Sequence, residues 1–273
     1  MAEFVQKDFY DINDLIEIVR VLRQPDGCPW DREQTHASIR MDFIEEVYEV
    51  IEAIDKEDTA LLREELGDVL LQVVFHTQIE REAGHFELDD VCDEVCKKMI
   101  IRHPHVFGEV TVSGTGEVLK NWEAIKQQTK GQTTYTETLE SVAVSLPALL
   151  RAQKVGKRAA KSGMDFADAA SALENIHTEV HELEEAAASH NTEQMADELG
   201  DVLFSCVNAA RKLGLNSEQC LTAATEKFIR RFAAVEAEVQ RRGKTMDDYT
   251  TKELDEIWNA VKHRIQEESY AAG

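Results

Sequence analysis

The sequence predicts an all-α protein made of two tandem copies of one helical bundle. Three observations carry that prediction. Only four of the 273 residues are proline, while Ala, Glu, Leu, Lys and Gln are abundant, which favours helix. Apolar residues recur at helical spacing along most of the chain. An acidic pattern also occurs twice. Glu46 and Glu49 lie three apart, and sixteen residues after Glu49 comes Glu65, with Asp68 three further on; Glu179, Glu182, Glu198 and Asp201 repeat this spacing. Glu65-Leu66-Gly67-Asp68 recurs letter for letter as Glu198-Leu199-Gly200-Asp201, and Val-Leu follows both times.

The elements can be read in order. Residues 11–24 predict a helix with apolar side chains at 12, 15, 16, 19 and 22, ended by Pro25-Asp26-Gly27. Cys28-Pro29-Trp30-Asp31 reads as a compact turn, with Trp30 as a packing plug and Asp31 or Thr35 as the cap of the next helix. Residues 36–56 and 58–83 are expected as a long antiparallel helix pair. Leu62, Leu66, Val69, Leu70 and Val73 mark the expected buried stripe of the second helix. Gly67 inside it costs about 1 kcal/mol relative to Ala, and its recurrence as Gly200 predicts close approach by another helix or a ligand. Residues 88–102 and 117–127 complete the first copy. The polar, threonine-rich stretch that follows reads as a linker, giving domains at 1–127 and 146–273 joined by 128–145. In the second copy, residues 147–162 predict a basic helix, residues 168–188 and 192–213 the acidic pair, and residues 217–242 and 251–266 the last two helices.

Composition bounds the function. The formal charge is −23, which argues against nucleic acid as a partner, because binding its backbone needs Lys and Arg to displace counterions. No apolar run approaches the roughly 20 residues of a membrane span, and the N-terminus lacks the pattern of a secretion signal. The five cysteines match no zinc spacing and read as reduced, mostly buried thiols of a cytoplasmic protein.

Residues three apart share a helix face, so each acidic pair forms a two-carboxylate claw, and a helix hairpin would turn two claws toward each other. An isolated ExxE ordinarily marks a solvated face; a recurrence in register does not follow from solvation. Oxygen-only donors suit a hard cation, Mg²⁺ or Mn²⁺. Further along each copy comes a cationic pair, Lys98 and Arg102 or Lys227 and Arg231, then Trp122 and Lys126 or Trp258 and Lys262. Cations suit phosphate oxygens, and Arg suits bidentate contact. A tryptophan could flank a base, although a Trp in mid-helix is more often core. With metal held by the acids, hydrolysis of a phosphoanhydride is the expected reaction. Glu45 and Glu64 are candidate proton acceptors beside the first claws, with Thr178 and Asp197 as counterparts. No GxxxxGK[ST] phosphate loop is present.

Two rival readings compete with a phosphoanhydride hydrolase. A di-iron carboxylate bundle needs Glu-x-x-His from two helices, but Glu174-x-x-His177 has Met41 and Ile44 as first-copy counterparts. A non-catalytic acidic interaction protein accounts for the charge but not for acids, cations and tryptophan recurring in one order.

The doubled ExxE…ExxD pattern, Glu-Leu-Gly-Asp, and Gly27-Cys28-Pro29-Trp30-Asp31 resemble the MazG family of nucleoside triphosphate pyrophosphohydrolases, over roughly residues 10–265. The resemblance implies an all-α bundle, a homodimer, a Mg²⁺ requirement, and cleavage of nucleoside triphosphates between the α and β phosphates to monophosphate and pyrophosphate. It implies metal ligands at Glu46, Glu49, Glu65 and Asp68 and at Glu179, Glu182, Glu198 and Asp201, with Glu49 and Glu182 central to catalysis. It puts nucleotide contacts at Lys98, Arg102, Trp122 and Lys126 and at Lys227, Arg231, Trp258 and Lys262. The copies differ. Only the first has Cys-Pro-Trp-Asp, and the second opens with a basic helix, which favours it as the hydrolytic copy.

Overall fold

The computed structural model describes the backbone of residues 4–129 and 131–271 and the side chains through 267. The chain divides into two compact units, Met1–Lys126 and Gln127–Gly273. The described residues form helices and no strand. They are α1 (Ile12–Leu22), α2 (Pro29–Glu33), α3 (Arg40–Asp55), α4 (Thr59–Ala83), α5 (Leu88–Arg102), α6 (Pro104–Phe107), α7 (Thr115–Thr129), α8 (Tyr135–Glu140), α9 (Ala148–Ala159), α10 (Ala169–Ala188), α11 (Thr192–Lys212), α12 (Ser217–Arg241) and α13 (Thr251–Ala271).

Polar caps and tight turns build the two hairpins alike. Between α3 and α4, Glu57 takes a left-handed φ of 54°, and the Asp58 carboxylate accepts from Ala60 N–H at 3.0 Å and Leu61 N–H at 3.1 Å. Between α10 and α11, His190 takes φ 55°, and the Asn191 carbonyl oxygen accepts from Glu193 N–H and Gln194 N–H, each at 3.2 Å. A side-chain oxygen thus satisfies backbone donors that the first turn leaves orphaned. The left-handed residue reverses the chain within three positions.

The start of α3 differs from the sequence expectation. Ile39 stands at its N-cap, and no side chain caps it. Thr35 and Ser38 bond to each other instead: Thr35 N–H donates to Ser38 Oγ at 2.9 Å and Ser38 N–H to Thr35 Oγ1 at 3.2 Å. Residues 29–33 form a short helix opened by proline rather than a turn. Trp30 is 60% exposed and is no plug. Arg23 anchors this segment: it donates to the carbonyls of Asp31 at 2.6 Å and Gln34 at 3.1 Å and pairs with Glu82 at 2.8 Å, with its own side chain only 6% exposed.

In the first unit the core gathers Val19, Ile39, Val74 and Phe75, with Leu15, Ile16, Leu71, Ile79 and Leu88 packed on it. The expected stripe of α4 is therefore misplaced. Leu66 and Leu70 are exposed, and the buried residues of α4 are Val74, Phe75, Thr77 and Gln78, where α1 packs. In the second unit, Val235, Val239, Ile257 and Val261 join α12 to α13. The cysteines carry free thiols, but Cys92, Cys96, Cys206 and Cys220 are exposed and Cys28 is half-buried. The expectation of buried thiols fails because Cys92, Cys96, Cys206 and Cys220 lie on helix faces left open among the described residues.

Part of the stretch read as linker is ordered by packing. The Thr134 hydroxyl accepts from Glu137 N–H at 3.2 Å to open α8. The Arg158 guanidinium of α9 donates to Thr138 O and, at 2.7 Å, to Ser141 Oγ. Beyond α9, Asp165 is held by Arg211 and by Lys212, the latter at 3.1 Å, and these cations keep its carboxyl well below the usual carboxylate range. This fixes the segment that leads into α10.

Helix α9 comes close to α11 at Gly156. A Cβ there would lie 2.9 Å from Asn208 Oδ1 and 3.3 Å from Arg211 Nε. Overpacking of this kind costs roughly 1–3 kcal/mol, against about 1 kcal/mol regained in helix propensity. Gly156→Ala is expected to lower the denaturation midpoint of the second unit; an unchanged or raised midpoint would show that α9 and α11 are not in close contact there.

Candidate active site

The two hairpins carry the acids to one place in each unit. Glu46 and Glu49 of α3 and Glu65 of α4 each offer a carboxylate oxygen, and the three oxygens lie within 4.8 Å of one another. Glu179 and Glu182 of α10 and Glu198 of α11 form the same constellation. Asp68 stands close enough for its charge to act on Glu46 and Glu65, and Asp201 acts on Glu198 in the same way. Each fourth acid thus flanks a trio without joining the tight group of three.

Crowding shifts the proton equilibria. Partial burial, then the charges of Asp68 and Glu49, raise the Glu46 pKa. Partial burial, then Glu49 and Glu64, raise Glu65. Partial burial, then Glu182 and Asp197, raise Glu198. Glu49 lies within hydrogen-bonding reach of both Glu46 and Glu65. Carboxylates this close disfavour full ionisation unless a positive charge joins them. An all-oxygen, multiply anionic set matches the donors of a hard divalent cation, so the residues fit the metal that the sequence implies.

The flanking acids separate. Glu64 and Asp197 act on the trios, one in each unit. Glu45 is exposed on α3. One residue escaped the sequence reading. The Asn175 amide donates to Glu179 Oε1 at 2.9 Å and to Ser205 Oγ at 2.8 Å, fixing a carboxylate of the second trio. Its first-unit counterpart is Asp42, which cannot donate when ionised. Only comparison of the two copies at that position could have signalled it.

The cations and aromatics differ between copies. In the first, the Arg102 guanidinium lies 5.2 Å and Lys126 Nζ 5.1 Å from the centre of the Trp122 ring. The end of α5 and the middle of α7 are thereby joined through cation–π contact. Lys98 is exposed. In the second, Trp258 packs against Phe228 at 5.1 Å and on the α12–α13 core. Lys227 is exposed, Arg231 and Lys262 are half-buried, and Arg231 Nε is buried without a hydrogen-bond partner. Among the described residues, no cation stands over Trp258.

Residues 34–107 and 168–235 match the MazG nucleotide pyrophosphohydrolase domain. This chain belongs to the MazG family. Both trios and both Lys/Arg pairs fall inside the matched stretches, whereas Trp122, Lys126, Trp258 and Lys262 fall outside them. A nucleoside triphosphate pyrophosphohydrolase of Escherichia coli K12 is 41% identical over 256 residues, 93% of this chain and 97% of that protein. The nucleoside triphosphate pyrophosphohydrolase/pyrophosphatase MazG of Thermotoga maritima is 41% identical over 249 residues, covering 91% and 94%. An uncharacterised Bacillus subtilis protein, YabN, is 43% identical over 258 residues, 93% of this chain but 52% of its own length.

The raised glutamates give a signed expectation for metal-free protein. Glu65 binds its proton more tightly in the fold than at the ordinary value of 4.5. Above the raised folded pKa it is ionised in both states, and the fold bears the repulsion. As pH falls through the raised folded pKa toward 4.5, the folded state takes up the proton first and gains stability. Glu65→Gln is therefore expected to raise the melting temperature in chelator at pH 7, with the gain shrinking as pH falls through that window. Added Mg²⁺ should stabilise wild type more than the variant. A Gln variant no more stable than wild type in chelator would remove the repulsion argument.

Proposed function

We propose that this chain hydrolyses nucleoside triphosphates to nucleoside monophosphate and pyrophosphate, in a reaction that depends on Mg²⁺, with Mn²⁺ as a possible substitute. The observation that carries the reading is the pair of three-carboxylate clusters, set in the same register on two hairpins of a MazG chain. Glu46, Glu49, Glu65 and Asp68 would hold the ion in the first unit, and Glu179, Glu182, Glu198 and Asp201 in the second. When bound, the ion offsets the acids' charge, draws in phosphate oxygens and makes water more acidic. Glu49 reaches both Glu46 and Glu65, and Glu182 acts on Glu198, so loss of either carboxylate would disturb its own trio. Glu64 and Asp197 flank the trios and are suited to accept the proton of the attacking water. That water attacks the α phosphorus, the bond from it to the α–β bridging oxygen breaks, and pyrophosphate leaves. Lys98 and Arg102, or Lys227 and Arg231, supply positive charge for the phosphates. Trp122 with Lys126, or Trp258 with Lys262, supplies a surface for the base.

We further propose a homodimer acting in the cytoplasm. Apolar side chains stand open along the hairpins, including Ile44, Val47, Leu66 and Leu70 in the first unit and Leu199 and Leu203 in the second. A second copy of the chain would cover such faces. The free thiols suit a reducing compartment, and no helix among the described residues is long and apolar enough to cross a membrane. The net charge of −23 weighs against nucleic acid as a partner.

Product analysis tests the reaction. Each common ribo- and deoxyribonucleoside triphosphate is incubated with and without Mg²⁺. The expected products are monophosphate and pyrophosphate, abolished by chelator. Glu49→Gln and Glu182→Gln, made separately, should each lower the rate of their own unit's site by at least about a hundredfold if that unit is catalytic. Diphosphate plus orthophosphate would overturn the cleavage position, and no turnover would leave an acidic docking protein.

Gly67→Ala tests the covered face. An added Cβ meets nothing within 4 Å at Gly67 or Gly200, so the close approach expected there is absent among the described residues. Alone, the change should stabilise the helix by about 1 kcal/mol. If a second copy packs there, sedimentation should instead show a weakened dimer. A stable, unaltered dimer would exclude close packing at Gly67.

A further inference from the structure

Three histidines and one glutamate converge in the first unit, away from the acid trio. His36 lies in the segment before α3, His76 and Glu80 lie one turn apart on α4, and His85 follows the end of α4. The Nδ1 atoms of His36 and His76 approach to 2.7 Å, and the two rings stack 5.0 Å apart at an interplanar angle of 9°. Phe43 covers His76 at 5.6 Å. On the far side of His36, Nε2 lies 2.6 Å from Glu80 Oε1, while His85 Nδ1 lies 2.7 Å from Glu80 Oε2.

The proton positions follow from this geometry. Glu80 is ionised, its pKa lowered first by His85 and then by His36, so it only accepts. His36 Nε2–H must then donate to it. With Nε2–H given to Glu80, His36 turns its other ring nitrogen, Nδ1, toward His76 Nδ1. Two lone pairs cannot approach to 2.7 Å, so a single proton lies between the two nitrogens. Burial and the neighbouring His36 ring keep His76 from taking up a second proton.

We propose that these imidazoles form a transition-metal site of the Zn²⁺ class, separate from the acidic clusters. The cation takes the place of the shared proton, which is released to solvent, and both Nδ1 lone pairs become ligands. Two Zn–N bonds of about 2.0–2.1 Å at a tetrahedral angle put the nitrogens about 3.3 Å apart, a modest opening from the present contact. Glu80 then plays the part that carboxylates commonly play behind a ligating histidine, accepting its other N–H and fixing ring and tautomer. Nitrogen donors select Zn²⁺, Co²⁺, Ni²⁺ or Cu²⁺ over the Mg²⁺ suited to the trios. The second unit has Ala209 and Leu213 where the first has His76 and Glu80, so one site per chain is expected. Filled, it would tie the segment before α3 to α4 and so brace the helix that carries Glu46 and Glu49.

The test is Zn²⁺ titration of the full chain against a chromophoric chelator in a large excess of Mg²⁺, which fills the acidic trios; Co²⁺ replaces Zn²⁺ in a parallel run read by its visible absorption. One equivalent is expected to bind. The affinity should fall at least tenfold in the double variant His36→Gln/His76→Gln and tenfold or more in Glu80→Gln, and hold in Glu46→Gln. Wild-type protein gives a readout that needs no variant to fold: the ¹⁵N signals of the His36 and His76 Nδ1 atoms should shift on adding Zn²⁺. The proposal is overturned if no Zn²⁺ binds in excess Mg²⁺, if the double variant binds as wild type does, if Glu46→Gln removes the site, or if those two nitrogen signals do not move.

Discussion

The mutual repulsion of carboxylates across each helix hairpin is the constraint on which the rest of the structure depends. Three oxygens within 4.8 Å of one another raise the pKa of Glu46 and Glu65 in one unit and of Glu198 in the other. Partial burial leads each shift, and the neighbouring acids add to it. Such clusters persist only if the backbone forces them together. Here it does, through two turns of the same construction, a left-handed residue followed by an Asp or Asn cap. The strain is local and the cap satisfies the new helix's donors, so the hairpin can hold charges that would otherwise part. A divalent cation offsets the repulsion that folding leaves in place.

The copies keep this device and differ in its surroundings. In the first unit Trp122 lies between Arg102 and Lys126, and a histidine–glutamate cluster joins the segment before α3 to α4. In the second, Trp258 joins an aromatic and aliphatic core, and Asn175 steadies Glu179. The basic residues of α9 are partly committed to structure, because Arg158 holds α8. They add less free positive charge for a phosphate than their number in the sequence implies. In the first unit two cations face the half-buried Trp122 ring, whereas in the second the equivalent ring packs with Phe228 on the α12–α13 core.

The open apolar faces connect sequence to assembly. Helix α4 leaves part of its apolar stripe uncovered among the described residues, and the core it shares with Val19 of α1 gathers at Val74 and Phe75 in its C-terminal half. Leu66 and Leu70 are left exposed beside Gly67, which has open space above it. Periodicity revealed that α4 is amphipathic, but it carried no information about which part of the stripe would meet another element of the same chain. The exposed cysteines have the same origin, since a thiol's burial depends on what covers its helix.

The sequence by itself determined the helices, the duplication and the acid register. These depend on spacing along the chain: residues three apart share a face, and a pattern repeated in order survives any rearrangement of the parts. It did not determine Trp30, Arg23 or the histidines. Trp30 reads as a plug until Arg23, 6% exposed, is seen to anchor the segment that carries it. His36 and His85 lie far apart in the sequence, yet they share one carboxylate, and His36 faces a third imidazole 40 positions away. Such contacts join residues from separate stretches of the chain, and their distances are set by how those stretches pack. Only the tertiary structure could decide them.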